Sequence, residues 1–189
     1  GYNAYEGRIK RYCTDTLRSP HLLHIGTHGY YFRASEKKNS SDEPGLKWAD
    51  NPMFRSYLLM AGGLNTHLGK MPLRGFEDGL LSAYEIASLN LTGTHLVVLS
   101  ACQSGLGDLV GNEGVYGLQR AFKIAGVRHL LVSLWKVDDD ATQVFMEQFY
   151  IHWIENKQNI HVAFRQAQQW MRAQQAYKDP YYWAAFVLI

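Results

Sequence analysis

Cysteine is scarce in this sequence, with two among 189 residues. That scarcity excludes a fold built on a disulfide framework. A chain of this length buries enough apolar surface to need no covalent staple, so Cys13 and Cys102 are expected as reduced thiols. Long apolar runs are missing as well. None approaches the roughly 18 residues that a membrane span requires, and no basic stretch followed by an apolar segment opens the chain. No membrane partner is expected, and the cytoplasm is the default compartment. Nor is there an excess of one charge, since 19 basic residues face 17 acidic ones for a net charge of +2. Nothing here demands a nucleic acid or an anionic surface. Internal repeats and low-complexity tracts are absent. What is present is the material of a core: 47% of the residues are apolar, with twelve Tyr and five Trp. One sizeable folded domain is expected, and two would be cramped.

Along the chain, residues 4–18 read as an amphipathic helix closed by Ser19-Pro20, because proline disfavours helix in the residue before it. Residues 21–27 read as a strand, with Leu22, His24, Gly26 and His28 on one face and Leu23, Ile25 and Thr27 on the other. Tyr30 to Phe32 extend it or start a small hairpin. Residues 33–51 carry the polar, Ser- and Asp-rich composition of a long surface loop, and loops of that length tend to be functional. Residues 54–64 are expected as a strand that pairs with a short partner near 79–82, as a hairpin outside the main sheet. Ser82 and Glu85 fit a capping box at the start of a short helix. Then follow a buried strand over 95–101, a helix over 114–125 with Gly126 just past its end, a strand over 129–135, helices over 141–155 and 160–176, and a last strand over 183–189. The second of those helices places Ile160, Phe164, Ala167 and Met171 on one stripe. This alternation predicts an α/β fold with a largely parallel sheet and helices on both faces.

Two runs hold the chemistry. HLLHIGTHG ends on His28 and HLVVLSACQSG ends on Cys102, and small residues flank both. In parallel sheets reactive groups collect beyond the carboxyl ends of the strands. Two neighbouring strand ends would set an imidazole beside a thiol, the minimum of an activated cysteine nucleophile. Against this stands the ordinary reading of a lone cysteine as a small buried apolar residue. The amides of Gly29 and Cys102 are candidate donors to an oxyanion. A metal at His24 and His28 is not expected, because those positions lie on the order of 13 Å apart along an extended strand. The glycines from Gly105 to Gly114 lack the Lys-Ser/Thr ending of a phosphate loop, and no cofactor is expected. Trp135 and the run Asp138, Asp139 and Asp140 close the third buried strand. Asp139 or Asp140 is expected to cap the following helix, while another of the three faces the cleft.

The runs HIGTHG, DGLLSAYEIASLNLTGTHLVVLSACQSGLG, GVYGLQRAFKIAGVRHLLVSLWKVDDDAT and DPYYWAAFVLI together resemble the CHAT domain, a caspase-like family related to separase. The resemblance covers nearly the whole chain, 1–189. It implies a caspase-hemoglobinase fold, a three-layer α/β/α sandwich whose N-terminal strands precede this sequence. It also implies a Cys-His dyad of Cys102 and His28, with Gly29 and Cys102 amides at the oxyanion. The stretch LWKVDDD is similar to a separase stretch associated with recognition of a basic P1 residue. By that likeness Asp139 corresponds to the recognising acid, with Asp138 and Trp135 beside it, although Asp138 stands where separase has a threonine.

The expectation that follows is a cysteine endopeptidase that cleaves a protein substrate. Family members commonly follow TPR or other sensor modules, and some act in prokaryotic antiviral defence on a gasdermin or a CRISPR-associated substrate. The rival expectation is a silent pseudo-protease that uses the same fold to bind a partner. A nucleotide-binding α/β domain is a third reading, and it predicts phosphate binding near Gly105.

Overall fold

The computed structural model describes residues 4–13, 19–31, 52–72, 77–102 and 112–189. The expected surface loop over 33–51 and the glycines from Gly105 to Gly111 lie outside them. The chain divides into two compact units, Gly1–Leu130 and Leu131–Ile189.

In the first unit, helix α1 (Glu6–Cys13) precedes strand β1 (Leu22–Tyr31). Helix α2 (Pro52–Arg55) leads into strand β2 (Ser56–Leu59), helix α3 (Leu64–His67) and strand β3 (Leu80–Ser82). Helix α4 (Ala83–Ala87), strand β4 (Leu96–Cys102), helix α5 (Asn112–Ile124) and the start of strand β5 (His129–Ser133) complete it. The strands lie in the order β3-β2-β1-β4, with β5 next to β4. The centre is parallel: β1 pairs with β4 from Leu22↔Leu96 to His28↔Cys102. The sheet is therefore mixed, with β2 antiparallel to both β1 and β3.

Local chemistry accounts for these elements. β4 is buried on both faces, with Leu96, Val97 and Val98 fully covered and Leu99 at 5% exposure, as expected of a strand inside an α/β fold. β1 is one-sided, since Ile25 is buried while His24, Gly26 and His28 are exposed. The Ser82–Glu85 capping box forms as expected: Glu85 N–H donates to Ser82 Oγ and Ser82 N–H donates to Glu85 Oε2. The hairpin of β2 and β3 also forms, but it is not outside the main sheet. β2 pairs with β1 through His28↔Leu59 to Tyr31↔Ser56, because the edge of β1 that faces away from β4 needs hydrogen bonds. Phe54, expected in that strand, lies in α2 instead. Gly63 and Gly79 close the hairpin so tightly that a Cβ on either would collide with the other's backbone, and Gly79 has φ +75°.

A buried ion network ties α1 to this hairpin. The Glu6 side chain is 2% exposed and its Oε1 lies 2.5 Å from Lys10 Nζ. Its Oε2 accepts from the Gly79 amide at 3.0 Å. Lys10 Nζ also reaches Glu85 Oε1 at 2.8 Å. Burial pushes the Glu6 carboxyl up to about 7, against the lowering effect of its hydrogen bond from Lys10. The hydrogen bonds and charges of Glu6 and Glu85 raise Lys10 well above its ordinary value, although burial opposes this.

At the opposite end of the central strands stand three imidazoles. The His21 and His95 rings stack at 5.0 Å, and His95 meets His129 edge-on at 5.0 Å. Burial, then the charges of His21 and Arg128, hold His95 below its ordinary value.

In the second unit β5 pairs antiparallel with β6 (Phe186–Leu188). Helix α6 (Asp139–Tyr150) runs into a π-helical turn, Ile151–Glu155, and helix α7 (Ile160–Ala173) follows. The expected stripe on α7 points inward, with Ile160, Ala163, Ala167 and Met171 buried and Phe164 half-buried. Phe145 stacks on Phe186 at 4.2 Å, and Phe164 meets Phe145 edge-on. The last strand is shorter than expected, because Asp179 caps a helical turn, α8 (Pro180–Trp183). Asp at the cap with Pro at the first helical position favours helix over strand there.

Two stability outcomes follow. Lys10→Met removes the charge that lowers the buried Glu6 carboxyl, so Glu6 takes up a proton and chemical denaturation at about pH 7 should register a loss of about 1 kcal/mol. His95 in the folded state binds protons less readily than in the unfolded chain, so its contribution is full above the ordinary histidine value and is lost as pH falls through it. Relative to His95→Gln, the Tm of the wild type should therefore drop between about pH 7.5 and pH 5.5, while Glu6, raised to about 7, acts in the opposite sense in both proteins.

Candidate functional site

The parallel pairing of β1 with β4 does most of the assembly. Its last matched pair is His28↔Cys102, so the two residues singled out in the sequence sit at one level on neighbouring strands, about 4.8 Å apart across the ladder. Cys102 is the last residue of β4, as the sequence suggests. His28 is not at the end of its strand: β1 continues three residues to Tyr31, held by its pairing with β2. Gly29 lies between them, opposite Leu58.

His28 is exposed on its face of β1, and the residues around it are aromatic. Tyr30, two positions on, has its ring 6.3 Å from the His28 ring and tilted by 59°. Tyr30 stacks on Tyr57 at 5.6 Å and meets His67 of α3 at 4.3 Å. Tyr57 is 2% exposed, and its hydroxyl is hydrogen-bonded with His67 Nδ1 at 2.8 Å. Burial, with Tyr30 adding to it, pushes the Tyr57 phenol up to about 12. It therefore stays protonated across the physiological range. Thr27 Oγ1 donates to the Leu59 carbonyl and pins the same stretch of β1 against β2. Tyr30, Tyr57 and His67 were not singled out in the sequence. Tyr30 follows the His-Gly pair at a same-face spacing, the one signal that could have marked it. His67 comes from a separate helix, and only folding brings it here.

His24 lies on the same face as His28, and partial desolvation in the cavity it lines with Ile9 and Tyr12 holds its imidazole below the ordinary value. Among the described residues no group of three His, Cys, Asp or Glu side chains could hold a metal ion. None of the described helices is long and apolar enough to cross a membrane.

The remaining candidates, Trp135, Asp138 and Asp139, belong to the second unit. The capping role expected of Asp139 or Asp140 falls to Asp138, whose Oδ1 accepts from the Asp140 amide at 3.0 Å and the Ala141 amide at 3.2 Å. The extended backbone of Asp138, with ψ 141°, is what lets its side chain turn back onto the first turn. Asp139 is then the first helical residue, exposed to solvent. Trp135 is 36% exposed, and its indole N–H donates to the Tyr181 carbonyl at 2.9 Å. The Tyr181 hydroxyl donates in turn to the Lys136 carbonyl at 2.6 Å. These bonds fix the segment after β5 against α8. A cavity of about 520 Å³ opens there, lined by Lys136, Asp138, Asp140, Tyr177, Tyr181 and Tyr182.

Comparison with known proteins shows the family. The family described as "CHAT domain" matches residues 3–189. The chain belongs to the CHAT domain family. Among its relatives is tetratricopeptide repeat protein 28 of Homo sapiens, 36% identical over 113 residues, which is 60% of this chain and 4% of that protein. The Mus musculus protein of the same name is 34% identical over 118 residues, 62% of this chain and 5% of its own length. The chain thus spans about one twentieth of the curated relatives it matches. The mixed sheet with a parallel centre, flanked by helices, is that of an α/β, caspase-like CHAT fold.

With Asp138 as the cap, Asp138→Ala should lower stability by about 1 kcal/mol. Asp139→Asn should leave the thermal unfolding midpoint within a degree or so of wild type, because it removes no cap hydrogen bond. A larger loss in the second variant than in the first would reverse the assignment.

Proposed function

We propose that this CHAT domain is a cysteine endopeptidase. The observation that carries the reading is the pairing of His28 with Cys102 across β1 and β4. In this mechanism the His28 imidazole takes the thiol proton of Cys102, and the thiolate attacks the scissile carbonyl carbon. The amides of Gly29 and Cys102 donate to the developing oxyanion. As the intermediate collapses, His28 gives its proton to the departing amine and a thioester remains. Water, deprotonated by His28, then releases the acid and restores the thiol. Asp139, by its likeness to the separase stretch, would read a basic P1 side chain, with Trp135 and Asp138 as its frame. Membership of the caspase-like clan and the names of the relatives support an activity controlled by a tetratricopeptide module elsewhere in a longer protein. A role in cytoplasmic prokaryotic defence is the setting this reading favours.

A second reading keeps the fold and drops the chemistry. The relatives are named for their tetratricopeptide repeats, and repeat proteins commonly present binding surfaces. A silent CHAT domain would serve as a protein-interaction module. Cleavage of a peptide library separates the two. Cys102→Ala and His28→Ala should each reduce hydrolysis by more than about 10³-fold at unchanged Tm, and a peptidyl electrophile should label Cys102 of the wild type alone. Retained hydrolysis in both variants, or no labelling with partner binding intact, would favour the interaction module.

A further inference from the structure

An exposed imidazole that must serve first as base and then as acid needs a fixed direction, since misplacement by about 1 Å costs heavily in rate. His28 is exposed, and strand backbone in general admits more than one side-chain rotamer. The aromatic cluster beside it supplies a wall. Tyr57 is 2% exposed and is the immobile member. Its hydroxyl holds His67 through Nδ1 at 2.8 Å. Tyr30 lies against both of these rings, stacked on Tyr57 at 5.6 Å and 4.3 Å from His67. The Tyr30 ring is thereby fixed from two sides by two different elements, β2 and α3. It faces His28 at 6.3 Å with a 59° tilt, inside the span of about 4.5–7 Å over which aromatic rings attract in tilted arrangements. The order of support runs from a buried residue outward: Tyr57, then His67 and Tyr30, then His28.

We infer that Tyr30 is a positioning residue for His28, a ring wall that sets the direction of the imidazole, with Tyr57 and His67 as its buttress. The inference rests on the endopeptidase reading for its kinetic consequence and on the ring geometry alone for its structural one. Its physical content is the ring and not the hydroxyl, so phenylalanine should substitute for tyrosine and leucine should not.

The test compares Tyr30→Phe with Tyr30→Leu in the whole chain, on a peptide that the wild type cleaves. Tyr30→Leu should lower kcat by between about twofold and tenfold, the span an aromatic pair is worth, with KM unchanged and Tm near that of Tyr30→Phe. Tyr30→Phe should stay close to wild type. NMR relaxation of the His28 ring in the Cys102→Ala protein reads positioning without any catalysis. There Tyr30→Leu should increase ring mobility and Tyr30→Phe should not. Equal ring mobility in all three proteins overturns the positioning role, whatever the kinetics. Absence of wild-type cleavage across the peptide library, with the mobility difference intact, overturns the endopeptidase reading and leaves the wall standing. A rise in KM with constant kcat in Tyr30→Leu assigns Tyr30 to substrate contact and also overturns the inference.

Discussion

The parallel ladder between β1 and β4 is the constraint on which the candidate site depends. It runs unbroken from Leu22↔Leu96 to His28↔Cys102, and a slip of one residue would flip every β1 side chain to the other face. Burial forbids that slip. Ile25 would leave the core and His24 would enter it, and β4 has no exposed face to accept a polar neighbour, with Leu96, Val97 and Val98 fully covered. The apolar pattern therefore sets a register, and the register sets the chemistry. The same ladder brings His21 beside His95 at its other end, where their rings stack. The two ends differ in what surrounds them. Burial and the charges of His21 and Arg128 disfavour charge at His95, while His28 is bordered by the Tyr30 ring, which itself rests on rings from β2 and α3.

Around this ladder, the buried carboxylate is met by partners. Glu6 is almost fully covered, and its two oxygens are taken by Lys10 and the Gly79 amide. That network joins α1 to the β2–β3 hairpin, and the hairpin in turn carries Tyr57 and pairs with β1. The support of the candidate base is thus continuous with the core of the first unit. The second unit solves its own polar problem at helix starts, where Asp138, Asn159 and Asp179 each accept from amides of the first turn.

Much of the fold was legible in the residues. The alternation over 22–28, the apolar run of β4, the Ser82–Glu85 box and the stripe on α7 all rest on local periodicity or local hydrogen bonding, which a sequence displays directly. The shorter final strand was legible in principle, since Asp179-Pro180 is a helix start, but the apolar run after it masked the signal. The hairpin's place in the sheet was not legible. It depends on which edge of β1 is left open by β4, and an edge's need for hydrogen bonds is visible only once its neighbours are placed. The cap at Asp138 was also hidden, because three consecutive aspartates satisfy the same composition rule and only the backbone angle at the first selects it.

Sequence by itself determined the elements, the family and the two residue types that a cysteine nucleophile with its base requires. These follow from periodicity and from motifs, which survive without coordinates. Tertiary structure decided that His28 and Cys102 are register partners, and that Tyr30, Tyr57 and His67 gather beside the imidazole. The reason is physical. Hydrogen-bond pairing and side-chain burial act between segments distant in the chain, so which residues meet is settled by packing and register and not by any local run.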